Sequence, residues 1–294
     1  MNYLEKKYDV AIWRDVGYAQ KPGYYCSYAL PKPKVKAVAD KRPRRLKVSR
    51  LNLRLDLYAP RDAQDDCRPT ILFFHGGGFF FDDKESHSIV RLCRAFAARG
   101  YNAVSVDYRL GFQYNKKSMR RAEERAIADG LSALRFLCDH RDEYGIDPRR
   151  IILAGSSAGA MVALQMPYRP LPAGVEVCAV VNLWGAIPDL ALLRQRPDLA
   201  IISFHGGKDY VVPPGYGSNY HRYFGPLSLL LCRKKYGSVR IHQEAKRLKM
   251  RERLFFFPKL GHKLYWDRKR QSENAYFDLI DARMAEFLAD VVRR

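Results

Sequence analysis

The chain has 294 residues and is 47% hydrophobic, with 15 Phe and 19 Tyr, so it can bury a large core and is not a disordered polymer. Its formal net charge of +21 raises nucleic acid or an anionic surface as a partner, but no helix-turn-helix, zinc-finger or RNA-recognition pattern accompanies the charge. No specific nucleic acid is therefore expected, and a solvated basic face that keeps the chain soluble stands as the plainer account.

The start, "MNYLEKKYDVAIWRDVGYAQ", is charged and lacks the apolar centre of a secretion signal, so a cytoplasmic location is expected. No apolar run approaches the ~18–20 residues that span a bilayer, so no membrane span is expected. Cys26, Cys67, Cys93, Cys138, Cys178 and Cys232 show no C-x-x-C spacing, so zinc has no support. They read as unpaired, buried thiols in a reducing compartment. Residues 1–40 fit no element, and the expectation is that they fold over the mouth of the site. Basic clusters follow in "KRPRRLKVSR" (41–50), "LCRKK" (231–235) and "QEAKRLKMRER" (243–253).

From residue 50 onward strands and helices alternate. "LNLRLDLY" (51–58) alternates apolar and polar residues, as a half-exposed strand does. "TILFFHGGG" (70–78) is a buried strand ending in glycines. Ile89, Leu92, Cys93, Phe96 and Ala97 have helical spacing, with Gly100 placed to stop the helix. "YNAVSVDY" (101–108) is a strand, residues 120–140 a helix, "GIDPRR" (145–150) a turn and "IILAG" (151–155) a buried strand, with a helix from about Ala158. Strands at 175–185, 198–207 and 253–257 and helices at 238–250 and at Phe277–Val291 complete the series. Such alternation implies an α/β fold: a mostly parallel sheet with helices on both faces, and sites at the carboxyl ends of the strands.

At one such end lies "ILAGSSAGAMVALQ" (152–165). Gly155-Ser156-Ser157-Ala158-Gly159 fits G-x-S-x-G, a strained strand-to-helix turn that needs tiny residues on both sides of its apex. The pattern places Ser157, not Ser156, at that apex. A serine hydroxyl is a poor nucleophile without a base and a group to orient that base. "AIISFHGGKDYVVP" supplies Asp209 just beyond a buried strand, and "RLFFFPKLGHKLY" supplies His262 after the last strand. Asp189 is the second candidate acid. His205, at a strand end, is expected to be structural, as is Asp107. "FFHGGGFFF" (73–81) offers bare backbone N–H groups, and Gly76 and Gly77, together with Ala158 after the serine, are the candidate donors to an oxyanion. A simple glycine turn over a buried His75 is the alternative. Trp184 and Phe79 to Phe81 line an acyl pocket or pack the core.

Together "HGGGF", "VDYRL", "GIDPRRIILAGSSAGA", "HGGKDYVVP" and "LGHKL" resemble the α/β-hydrolase superfamily, in its carboxylesterase and lipase branch. The nearest likeness is to the small feruloyl, acetyl-xylan and kynurenine-formamidase types. The resemblance implies an α/β-hydrolase fold and a serine hydrolase of carboxylic esters. It implies Ser157 as nucleophile, His262 as base and Asp209 as orienting acid, with Gly76, Gly77 and Ala158 as the oxyanion hole. It implies a small-molecule or carbohydrate ester as substrate, and no cofactor or metal. An amidase or formamidase would use the same residues, and a non-catalytic or anionic-surface-binding protein on the same fold is the alternative of another class. The interval from Ser157 to Asp209 is too short for a large lid. The aromatic stretch 213–237 is read as a small cap in a single domain of residues 1–294, or else as a surface loop.

Overall fold

Ile71-Leu72-Phe73-Phe74 are all fully buried, as befits a strand covered on both faces. They belong to the third strand of an eight-stranded sheet in a computed structural model that describes residues 2–23, 49–61, 67–111, 116–219, 232–267 and 272–293. The strands are β1 (Val10–Gly23), β2 (Ser49–Pro60), β3 (Arg68–Phe74), β4 (Asn102–Val106), β5 (Ile146–Ser156), β6 (Val177–Leu183), β7 (Ala200–Gly206) and β8 (Glu252–Phe257). Their order is β1-β2-β4-β3-β5-β6-β7-β8. β2 is antiparallel to both neighbours, and every other pairing is parallel.

Among the described residues, five helices of eight residues or more cover the sheet: α1 (His87–Ala97), α2 (Lys116–Asp139), α3 (Ala158–Gln165), α4 (Ser238–Arg247) and α5 (Tyr276–Val292). Successive strand residues point to opposite faces, so the core divides into two layers. Leu72 and Phe74 pack with Leu134 of α2, Val162 of α3 and Ile241 of α4. Ile71 and Phe73 pack with Leu92 and Phe96 of α1 and Ile280 and Leu288 of α5. The chain leaves β3 toward β4 and leaves β5 toward β6, so a crevice opens between the carboxyl ends of β3 and β5. Two glycine-bearing turns meet there.

Three expectations change. "GIDPRR" is part of β5 rather than a separate turn: Gly145 (φ 62°) ends a one-turn helix, and Ile146 already pairs with Arg68 before the register shifts to Thr70–Ile151. A local turn survives inside the extended segment, because Asp147 accepts the Arg149 N–H at 2.9 Å and holds the Arg150 guanidinium. β2 is half-exposed only as far as Arg54, since Leu55 to Pro60 are all buried. The described part of residues 1–40 does not cover the site. Residues 10–23 form the bulged edge strand β1, and the Leu4 carbonyl accepts from Arg99 just before the amino end of β4, whereas the site lies at carboxyl ends. Residues 24–40 of that segment, Cys26 and most of "KRPRRLKVSR" lie outside the described residues. So do 220–231 of the 213–237 stretch. Its described ends, Tyr216–Ser218 and Lys234–Gly237, pair into a small sheet with Ala186–Ile187. Among the described cysteines none is paired, and Cys67 is exposed.

Candidate active site

The turn after β5 is dictated by steric limits. Ser157 sits at its apex with φ 54° and ψ −115°, a left-handed conformation that costs a non-glycine residue energy and persists only where its surroundings enforce it. The enforcement is visible on both sides. A Cβ on Gly155 would lie 2.4 Å from the Gly159 carbonyl, and one on Gly159 would lie 2.1 Å from the Phe74 carbonyl. The sequence therefore lets α3 press against β3 and β5 and leaves Ser157 at the head of that helix.

Asp209 and His262 arrive on two loops joined to each other. The Gly207 N–H donates to the Phe257 carbonyl and the Lys208 N–H to the Leu260 carbonyl, each at 2.8 Å. The ends of β7 and β8 are thus fastened together, and their loops turn toward β5. His262 Nε2 lies 2.9 Å from Ser157 Oγ, and His262 Nδ1 lies 2.7 Å from Asp209 Oδ2. Asp209 Oδ1 accepts the N–H groups of Val211 and Val212 at 2.8 and 2.9 Å. Burial opposes ionisation of Asp209, but hydrogen bonds from His205 and His262 outweigh it and hold the carboxyl well below the usual range. An ionised Asp209 only accepts, so His262 Nδ1 carries the proton and Nε2 is left to accept the Ser157 hydroxyl.

The glycine loop lies against the same turn. A Cβ on Gly76 would be 3.3 Å from Ser156 Oγ and 3.5 Å from Ser157 Cβ. Gly77 has φ +90°, and a Cβ there would strike the Phe81 carbonyl, so the loop closes only on glycine. His75 beneath it is buried, donates from Nδ1 to the Gly76 carbonyl at 3.0 Å and stacks on Tyr108. The Tyr108 hydroxyl donates back to the His75 carbonyl at 2.6 Å. Burial pushes the His75 imidazole down, toward the neutral form. Ala158 is the first residue of α3, where backbone N–H groups lack helical partners and favour negative charge.

Asp189, the second candidate acid, does not join this series. Asp189 is exposed and caps the 3₁₀ turn Leu190–Gln195. Asp107 is buried and accepts the Lys84 N–H, and its neighbour Arg109 forms a forked pair with buried Asp129. His87 is exposed, His140 donates to the Phe136 carbonyl, and His221 lies outside the described residues. Of the suggested pocket aromatics, Trp184 is buried with its ring edge toward His262 at 6.2 Å, Phe79 is buried, and Phe81 is exposed. Two features went unread in the sequence. Trp184 has φ 48°, a strain that no local motif announces. His205 is fully buried with Nε2 3.3 Å from Asp209 Oδ2, so it is a second imidazole on the same carboxylate.

The comparisons with known proteins agree with this architecture. A family model described as BD-FAE matches residues 55–170. The chain is 34% identical over 155 residues to esterase LipI of Mycobacterium tuberculosis, covering 49% of this chain and 45% of that protein. It is 36% identical over 117 residues to lipase 2 of Moraxella (38% and 24%) and 32% identical over 109 residues to the acetyl esterase of Salmonella paratyphi B (37% and 30%). Each match spans less than half of the relative's own length. In three dimensions the chain is similar to Est2, a thermophilic esterase of Thermogutta terrifontis, in its propionate-bound form. The TM-score is 0.60 at 24% identity, over 82% of this chain and 90% of that one. The sheet order, the two turns at its switch point and these matches have one conclusion in common: the chain has the α/β-hydrolase fold, and its relatives by sequence are named as esterases and lipases.

Proposed function

We propose that this chain is a serine hydrolase of carboxylic esters. The observation that carries the reading is the hydrogen-bonded series Ser157–His262–Asp209 at 2.9 and 2.7 Å, built on a strained turn at the switch point of the sheet. In the proposed reaction His262 Nε2 takes the Ser157 proton as Oγ attacks the ester carbonyl. The negative charge that develops on the carbonyl oxygen is met by the N–H groups of Gly76, Gly77 and Ala158. His262 then protonates the departing alcohol, leaving an acyl-enzyme on Ser157. Water that gives a proton to His262 releases the acid. The residues supply nucleophile, base and oxyanion donors themselves, so the route calls on no cofactor or metal.

The naming of one relative as an acetyl esterase supports a short acyl group; acetyl esters of carbohydrates are one substrate class with such a group. The stretch 213–237 is read as a small cap within a single domain of residues 1–294, its base being the strands that pair with Ala186–Ile187. Unpaired thiols at Cys93, Cys138, Cys178 and Cys232 support the reducing, cytoplasmic setting expected from the sequence.

The test is a p-nitrophenyl ester panel, acetate to decanoate, on the wild type and Ser157→Ala. Turnover is expected to fall steeply beyond butyrate and to drop more than about a thousandfold in the variant. A folded wild type that cleaves none of these esters would remove the esterase reading and turn attention to formamides.

A further inference from the structure

The mid-strand positions of β6 and β7 hold polar side chains where apolar ones would pack as well. Asn182 and Ser203 are fully buried, and so are Ser238 at the start of α4 and His205 at the end of β7. His242 of α4 is also buried. Burying this many polar groups is costly unless each finds a partner. Every one does, in a single connected series that ends on Asp209.

The proton positions in that series follow from its fixed groups. The Gly185 N–H donates to Asn182 Oδ1 at 2.7 Å, which sets the amide, so Asn182 Nδ2 donates to Ser238 Oγ (3.0 Å) and to Ser203 Oγ (2.9 Å). At one end, His205 Nε2 is 2.9 Å from the Val212 carbonyl, an acceptor only, so Nε2 carries the proton. The same N–H faces Asp209 Oδ2 at 3.3 Å. His205 Nδ1 therefore accepts the Ser238 hydroxyl, at 2.6 Å. At the other end, His242 Nδ1 donates to the Glu252 carboxylate, and its Nε2 accepts the Ser203 hydroxyl at 2.7 Å. Each serine thus accepts a hydrogen bond from Asn182 and donates its own to a histidine ring nitrogen. Protonating His205 on Nδ1 would make the Ser238 oxygen accept from both neighbours and leave its own proton without an acceptor in the series, so the arrangement favours the tautomer with the proton on Nε2.

We propose that Asn182, through Ser238, fixes His205 Nε2–H as the donor that positions the Asp209 carboxylate for His262. His205 is a positioning residue: it touches no substrate and acts through the acid. The carboxylate is thereby held from three directions, by the Val211 and Val212 amides on Oδ1 and by two imidazoles on Oδ2. With that plane fixed, His262 keeps its Nδ1 proton and its aim at Ser157. The inference rests on the proposed roles of Ser157, His262 and Asp209.

The experiment compares Ser238→Ala, His205→Phe and His205→Gln with the wild type, using p-nitrophenyl acetate kinetics and the far-downfield proton resonance of the His262 Nδ1–H. Ser238→Ala removes only the hydroxyl that sets the tautomer, and His205→Gln keeps an N–H near the position of Nε2. In Ser238→Ala and His205→Phe, kcat is expected to fall roughly tenfold with KM nearly unchanged, as misorientation of a catalytic group does. The downfield resonance is expected to move or broaden in both, and His205→Gln is expected to recover most of the loss. Wild-type kcat and an unmoved resonance in folded Ser238→Ala would overturn the proposal, whether or not His205→Phe folds. Full turnover in Ser157→Ala would instead strike the hydrolase reading. The resonance, which needs no turnover, would still report on Asp209.

Discussion

At the scale of single residues, the turn around Ser157 is governed by what cannot fit. Gly155 and Gly159 face each other across the apex, and a methyl on Gly155 would lie 2.4 Å from the Gly159 backbone and 2.7 Å from the Ala160 nitrogen. Backbone atoms cannot step aside as a side-chain tip can. Gly155→Ala is therefore expected to cost about 1–3 kcal/mol, the range for overpacking a tight site, and to lower ester turnover by displacing Ser157. A urea unfolding curve and a rate assay check both halves, and an unchanged midpoint with full activity would contradict the steric account. This turn was legible in the sequence because its constraint is local: five small residues between a buried strand and a helix. The convergence of Asp209 and His262 was legible for a related reason, since each follows a strand whose carboxyl end faces the switch point. The role of His205 was not legible. Its partners Ser238, Val212 and Asp209 meet it only through the packing of α4 on β7, and a histidine at a strand end carries no mark of what lies above it.

At the scale of elements, the strands and helices that bury a continuous apolar face were readable from residue 50 onward. The edge strand β1 was not. It has one face in water and two register shifts, at Trp13/Val16 and Gly17/Ala19, so neither strict alternation nor an apolar run announces it. Edge strands are commonly irregular and charged, which discourages pairing with other chains. The helices α1 and α5 are joined by a feature that also escapes periodicity. Arg99, just beyond α1, makes a forked pair with Asp281 of α5 at 2.8 and 2.9 Å, both side chains nearly fully buried, and Lys6 reaches Asp281 at 2.7 Å. Asp281→Ala would leave Arg99 buried and unpaired, which is expected to cost about 3–5 kcal/mol. A loss below about 1 kcal/mol in chemical denaturation would show that this junction relaxes to admit water.

At the scale of the whole molecule, buried histidines make the fold sensitive to acid. Burial lowers His75 and His242, the latter against the pull of Glu252. Their folded values lie below the unfolded value of about 6.5, so below that pH the unfolded chain binds protons that the folded chain refuses, and stability falls. For Asp281, burial works against ionisation, but its hydrogen bonds to Arg99 and Lys6 prevail and lower it; Asp209 is lowered in the same sense. These carboxylates add stability above the ordinary carboxylate range of about 4 that is lost as the pH drops further. The urea midpoint is expected to be level from pH 8 to 7, to decline from about pH 6.5 to 5 and to decline again below about 4. A level midpoint down to pH 5 would contradict the neutral, buried state of these two imidazoles. Catalysis by the whole chain is tested most directly by covalent labelling with a fluorophosphonate, located by peptide mass spectrometry on the wild type, Ser157→Ala and His262→Ala. A single adduct on Ser157 is expected, absent from Ser157→Ala and formed far more slowly in His262→Ala. A folded wild type that takes no label, or takes it on another residue, would contradict the assignment of Ser157 as an activated nucleophile.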